Sequence, residues 1–146
     1  MIIDSHNHPF YCGLNAEGLV DEMDEYGIDV CWLLTWYIPS AEHVPSSYSG
    51  FNPTNVRPDG THAGVVLNDV ARSRDAHPER FVIGYCPCPT EGNAPALLEA
   101  AVKMHDVRIC GEWSYRTVLD DPRSVELFQA AGSLGLPVVL HIDTPF

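Results

Sequence analysis

The sequence predicts an α/β fold built on parallel strands. Two observations predict it. Strand-type and helix-type segments alternate along the whole chain, which is the signature of parallel strands joined by right-handed crossovers. The clearest strand, Ile28 to Thr35 (IDVCWLLT), is a nearly continuous apolar run, the pattern of a strand covered on both faces.

The elements follow in order. Ile2-Ile3-Asp4-Ser5-His6 is a short apolar start that fits a first strand. Asn15 can cap a helix with Leu19, Val20 and Met23 on one face, and Gly27 ends it. The second strand is Ile28 to Thr35, and residues 39–60 form a long loop carrying Pro39, Pro45, Pro53 and Pro58. Ala63, Val66, Leu67, Val70 and Ala71 fall at helical spacing, and His77-Pro78 stops that second helix. Phe81 to Cys86 (FVIGYC) is the third strand, and Leu97, Leu98, Ala101 and Val102 mark the third helix. Arg108 to Trp113 (RICGEW) is the fourth strand. Asp121 caps the fourth helix, with Pro122 in its first turn and Leu127, Phe128, Ala131 and Leu134 on its buried face. After Gly135 comes the fifth strand, Pro137 to Ile142 (PVVLHI).

Composition narrows the class. The 146 residues suit one domain, 1–146, with 45% hydrophobic and 19% charged residues, as in an ordinary globular chain. A net charge of −12 disfavours nucleic acid and anionic membranes as partners. Five cysteines without small-scaffold or Cys-x-x-Cys spacing argue against a disulfide framework and a zinc ribbon. The start, MIIDSH, lacks the features of a signal peptide, and the longest apolar stretch, Val30 to Ile38, is too short to span a bilayer. The expectation is a cytoplasmic protein acting on a small molecule, with homo-oligomers allowed.

Two architectures compete, a doubly wound open sheet and a (β/α)8 barrel cut short. Five strands in 146 residues would complete the open sheet. But the first strand runs into His6-Asn7-His8-Pro9-Phe10 with no glycine-rich phosphate turn, which removes the usual nucleotide-binding reading.

Polar residues with metal-ligand chemistry sit at strand ends. Alternation along a strand projects Asp4, His6 and His8 the same way, so two imidazoles can chelate one divalent cation. Glu112 ends the fourth strand and His141 the fifth. A carboxylate in an apolar strand is costly unless paired or bound to a metal. In barrels and open α/β sheets alike, chemistry sits at the carboxyl ends of strands.

IIDSHNHPF resembles the opening strand of the amidohydrolase superfamily, particularly its amidohydrolase-related (type 2) branch, and LGLPVVLHID resembles that branch's fifth strand. The resemblance runs in order through the chain and is weakest over residues 36–60. It implies a TIM-type (β/α)8 barrel, of which this chain supplies about the first five βα units. It also implies that His6, His8 and His141 are metal ligands. CGEW is similar to relatives in which a fourth-strand Glu bridges two metals, so Glu112 becomes a ligand and a catalytic candidate. The family barrel runs to about 250 residues. Its sixth-strand His and its eighth-strand Asp, the residue that orients or deprotonates the attacking water, find no counterpart here. The expectation is that the sequence is a fragment, because a bare edge strand such as VVLHI would aggregate.

The implied activity is hydrolysis of an amide, ester or lactone by a metal-activated water. Zn²⁺ is the expected ion, with Mn²⁺ or Fe²⁺ as alternatives and one or two ions bound. A bound metal lowers the pKa of water to about 7 and polarises a carbonyl. Alternatives are a metal-dependent non-oxidative decarboxylase of the same fold and a non-enzymatic α/β binding module. The 39–60 loop can act as a lid. Arg57 and Arg116 are candidates to grip a substrate carboxylate, and Trp36, Trp113 and Tyr115 to stack on a ring. Solvated arginines and ordinary packing aromatics explain the same residues. Cys86 and Cys88 end the third strand, and a soft metal or plain core packing accounts for them.

Overall fold

The structure, a computed structural model, describes residues 1–39 and 64–142. The elements are β1 (Ile3–Asn7), α1 (Ala16–Tyr26), β2 (Val30–Leu34), β3 (Trp36–Tyr37), β4 (Gly64–Val65), α2 (Leu67–Ala76), β5 (Phe81–Gly84), α3 (Ala94–His105), β6 (Cys110–Trp113), α4 (Pro122–Ser133) and β7 (Val138–Leu140). A single 3-10 turn, Tyr11–Gly13, links β1 to α1. The alternation of helix and parallel strand expected from the sequence is present.

Local chemistry sets the helix ends. The Asn15 side chain accepts from the Gly18 N–H at 3.0 Å, and Gly27 closes α1 at φ 68°, a left-handed conformation that glycine adopts without strain. Asp121 accepts from the Arg123 N–H at 2.9 Å at the start of α4. Ala16, Leu19 and Met23 from α1, Val70 and Ala71 from α2, Leu98 and Ala101 from α3 and Leu127 and Ala131 from α4 are buried. They share one hydrophobic core with Cys31, Leu33, Phe81, Ile83 and Cys110 of the strands.

Strands β1, β2 and β5 form a parallel ladder in that order, and β6 pairs with β7 in parallel. Hydrogen bonds link the two groups: the Tyr85 N–H donates to the Ile109 carbonyl at 3.0 Å and the Arg108 N–H to the Ile83 carbonyl at 3.1 Å. The spatial order β1, β2, β5, β6, β7 therefore follows the chain. A doubly wound sheet reverses its order partway, and this one does not. Apolar side chains are exposed at both margins, Ile2 and Ile3 at β1 and Val138, Leu140 and Ile142 at β7. Among the described residues no helix is long and apolar enough to cross a membrane.

Two elements differ from the sequence expectation. The second strand breaks after Leu34, and Trp36-Tyr37 pairs antiparallel with Gly64-Val65. Helix α2 consequently starts at Leu67 rather than near Ala63, which lies outside the described residues. Gly64 has φ 73°, and a Cβ there would sit 1.8 Å from the Trp36 carbonyl oxygen, so this pairing requires glycine. The Asp69 carboxylate then accepts from the Val66 N–H at 3.2 Å and fixes the helix start. The expected 39–60 loop, apart from Pro39, also falls outside the described residues.

Gly84 is the other position that demands a missing side chain. A Cβ there would lie 2.6 Å from the Leu34 Cδ2 and 3.1 Å from the Gly111 carbonyl oxygen. Its absence lets β2 and β6 approach each other across β5. Gly84→Ala is expected to destabilise the fold by about 1–3 kcal/mol, as overpacking does. Urea unfolding of the two proteins measures it, and an equal midpoint would show that the strands yield without cost.

Candidate metal centre

The turn that presents His6 and His8 is built by its own polar side chains. The Asp4 carboxylate accepts from the His6 N–H and from the Asn7 side-chain amide, each at 3.1 Å. The Asn7 side-chain oxygen accepts from the His8 N–H at 2.8 Å. The register between β1 and β2 shifts between Asp4 and Asn7, so this end of the strand departs from regular pairing.

His8 is fixed by β2. Its Nδ1 lies 2.9 Å from the Leu34 carbonyl oxygen. A carbonyl can only accept, so Nδ1 carries the proton and Nε2 is left to face the site. That Nε2 lies 2.9 Å from Glu112 Oε2, and His6 Nε2 lies 3.1 Å from the same oxygen. The other oxygen, Oε1, contacts His141 Nδ1. His141 sits just past β7, held by its own N–H donating to the Trp113 carbonyl at 3.0 Å. The His6 and His141 ring centroids are 6.3 Å apart, and those of His6 and His8 5.2 Å.

Glu112 is the centre of this cluster. It is 1% exposed, its oxygens take no regular hydrogen bond, and what they face is imidazole nitrogen. Burial pushes its carboxyl pKa up, but His8 and then His6, when protonated, pull it down further, and the net displacement is downward. A buried carboxylate against imidazole lone pairs needs a cation or shared protons between them. The donor set, imidazole nitrogen with carboxylate oxygen, is the one divalent transition metals and zinc take. His6, Glu112 and His141 offer ligand atoms within 4.8 Å of one another, and His8 adds a fourth beside Glu112 Oε2. Metal bonds of about 2.0–2.2 Å put neighbouring donors about 3 Å apart, which is the spacing of His6 and His8 from that oxygen.

The structure thus brings His6, His8, Glu112 and His141 together. Trp36 is half-buried beside them, its ring 6.2 Å from that of His8. Tyr11, which sequence reasoning passed over, lies 6.1 Å from His8 on the 3-10 turn. Arg116 is exposed in the loop leaving β6, and Arg57 lies outside the described residues. Trp113 and Tyr115 follow the packing alternative. Trp113 is buried and packs edge-on to Tyr115 and against Phe128 of α4, on the opposite side of β6 from Glu112. Tyr115 is also buried, and its hydroxyl donates to the Cys86 carbonyl at 2.6 Å. Both are packed into the core. Cys86 and Cys110 are buried thiols 3.9 Å apart.

The sequence matches no family model and no curated protein. Solved structures do share its fold. One is a probable 2-pyrone-4,6-dicarboxylic acid hydrolase from Acinetobacter baumannii with citric acid bound, with a TM-score of 0.58 and 13% identity over 97% of this chain and 49% of that one. Another is a mutant 5-carboxyvanillate decarboxylase from Novosphingobium aromaticivorans with bound manganese and 3-methoxy-4-hydroxy-5-nitrobenzoic acid. It gives a TM-score of 0.62 and 18% identity over 90% of this chain and 36% of that one. At 13% and 18% identity these are likenesses of fold. The chain spans about half the length of the first and about a third of the second.

Proposed function

We propose that residues 1–146 form the first five βα units of a (β/α)8 barrel, and that the whole protein is a metal-dependent hydrolase of amidohydrolase type acting on an amide, ester or lactone of a small molecule. The observation that carries this reading is Glu112, a buried carboxylate whose two oxygens face three imidazoles at the ends of β1 and β7. The consecutive order of the parallel strands supports the barrel, and the exposed apolar margins of β1 and β7 are where its remaining strands would pair.

His6, His8, Glu112 and His141 would hold the metal, Zn²⁺ by this donor set, with Mn²⁺ or Fe²⁺ able to replace it. When bound, such an ion supplies Lewis acidity to a carbonyl and acidifies water. The Leu34 carbonyl holds a proton on His8 Nδ1, so the neutral ring offers Nε2 to the site. Glu112 spreads charge in two directions, Oε2 toward His6 and His8 and Oε1 toward His141. That division leaves the carboxylate able to serve one ion or two, and a second ion would favour hydrolysis. The second reading is a decarboxylase around one ion, supported by the likeness in fold to the manganese-bound decarboxylase. Trp36 and Tyr11 flank His8 and give the small-molecule substrate an apolar wall.

The test is elemental analysis of the full-length protein with turnover assays on esters, lactones, amides and aromatic acids. Two ions per chain with ester or lactone cleavage is the expected result. One ion with CO₂ release selects the lyase. Apoprotein that regains neither ion nor turnover with Zn²⁺ or Mn²⁺ overturns the metal-enzyme reading.

A further inference from the structure

We infer that Thr35 is a positioning residue for Glu112, its hydroxyl tying the backbone beneath the carboxylate to two neighbouring strands. The inference rests on the proposed metal centre and goes beyond it, since Thr35 touches neither an imidazole nor the carboxylate.

Thr35 follows β2 in an otherwise apolar run and is fully buried. A buried threonine ordinarily satisfies its hydroxyl on its own neighbourhood, for instance a helix carbonyl one turn back. Here every polar group of the residue is spent on other strands. Its N–H donates to the Gly84 carbonyl at 3.2 Å, and its carbonyl accepts from the Glu112 N–H at 3.0 Å. Its hydroxyl donates to the Gly111 carbonyl at 3.3 Å and accepts from the Cys86 N–H at 3.1 Å. The carbonyl and the N–H of the Gly111–Glu112 peptide are therefore both anchored to one residue of another strand. The preceding residue, Leu34, supplies the carbonyl that orients His8. Leu34 and Thr35 together hold the two sides of the 2.9 Å contact between His8 Nε2 and Glu112 Oε2. A ligand set must be held to within about 0.5 Å to work, and partners behind the ligands supply that rigidity.

The experiment compares Thr35→Val, which keeps shape and loses the hydroxyl, with Thr35→Ser, which keeps the hydroxyl, in the full-length protein. Mn²⁺ titration and metal-free crystal structures are the two readouts, with wild type and Glu112→Gln as references. Thr35→Val is expected to bind Mn²⁺ about 10-fold or more weakly, with the Glu112 carboxylate displaced from His8 by more than about 0.5 Å, and Thr35→Ser to stay within about 3-fold of wild type. Thr35→Val matching wild type in both readouts overturns the inference. So does an equal loss in both variants that follows only their melting temperatures, since that is a packing effect. If the valine variant does not fold, Thr35→Ala takes its place against serine. If wild type itself takes up no ion, the metal reading fails, and the carboxylate position in the metal-free crystals still decides the role of Thr35.

Discussion

Glu112→Gln in the full-length protein is expected to lower the affinity for a divalent ion by about 100-fold or more, beyond the 10–100-fold typical of residues one layer behind the ligands. Glutamine keeps the shape but removes the charge, and turns an N–H₂ toward imidazole nitrogens where an acceptor stood. His8 cannot compensate by changing tautomer, because the Leu34 carbonyl 2.9 Å from Nδ1 keeps the proton there. Calorimetric titration with Mn²⁺ or Zn²⁺ measures the loss, and an affinity within a few-fold of wild type would remove Glu112 from the site. The metal-free proteins add a pH signature. The fold holds the Glu112 carboxyl below its ordinary 4.5: burial raises it, and His8 and His6 lower it by more. A depressed folded-state pKa means stability that is fully present above about 4.5 and lost as pH falls through the lower folded value. Wild type should therefore exceed the glutamine variant in stability near pH 6, and the gap should close toward pH 3.

Much of this centre is legible in the sequence. His6 and His8 share a strand face because side chains alternate with period two, and a lone carboxylate in CGEW marks a residue that its surroundings cannot tolerate unpaired. The helix caps Asn15 and Asp121 were readable for the same reason: their side-chain chemistry is local. What escaped depends on backbone meeting backbone over long sequence distances. The carbonyls of Leu34 and Thr35 leave no trace in residue identity, yet they orient His8 and anchor Glu112. The short pairing of Trp36-Tyr37 with Gly64-Val65 joins segments across a long connection, and it is visible in sequence only as a glycine whose required φ of 73° cannot be read from its neighbours. Arg57 was a reading from residue type alone, without a strand to place it.

The alternation rule chooses between the two readings of Trp113. If Glu112 points into the site, its neighbour must point toward the helix layer. There it meets Phe128 and Tyr115, each with ring centroids 6.0 Å away, and is only 6% exposed. Trp113→Ala should consequently cost about 3–5 kcal/mol of folding stability, the range for emptying a large aromatic from a core. The loss reaches the site weakly, because the link from this residue to His141 is its main-chain carbonyl, which the substitution retains. In the full-length protein, urea unfolding should show the large drop, while the folded fraction binds Mn²⁺ within about 3-fold of wild type. Trp113→Phe keeps most of the volume and should recover most of the stability. A stable Trp113→Ala protein whose KM for a ring-bearing substrate rises sharply would reverse the assignment, making the indole part of the substrate wall and placing the β6 side chains on the opposite faces from those described.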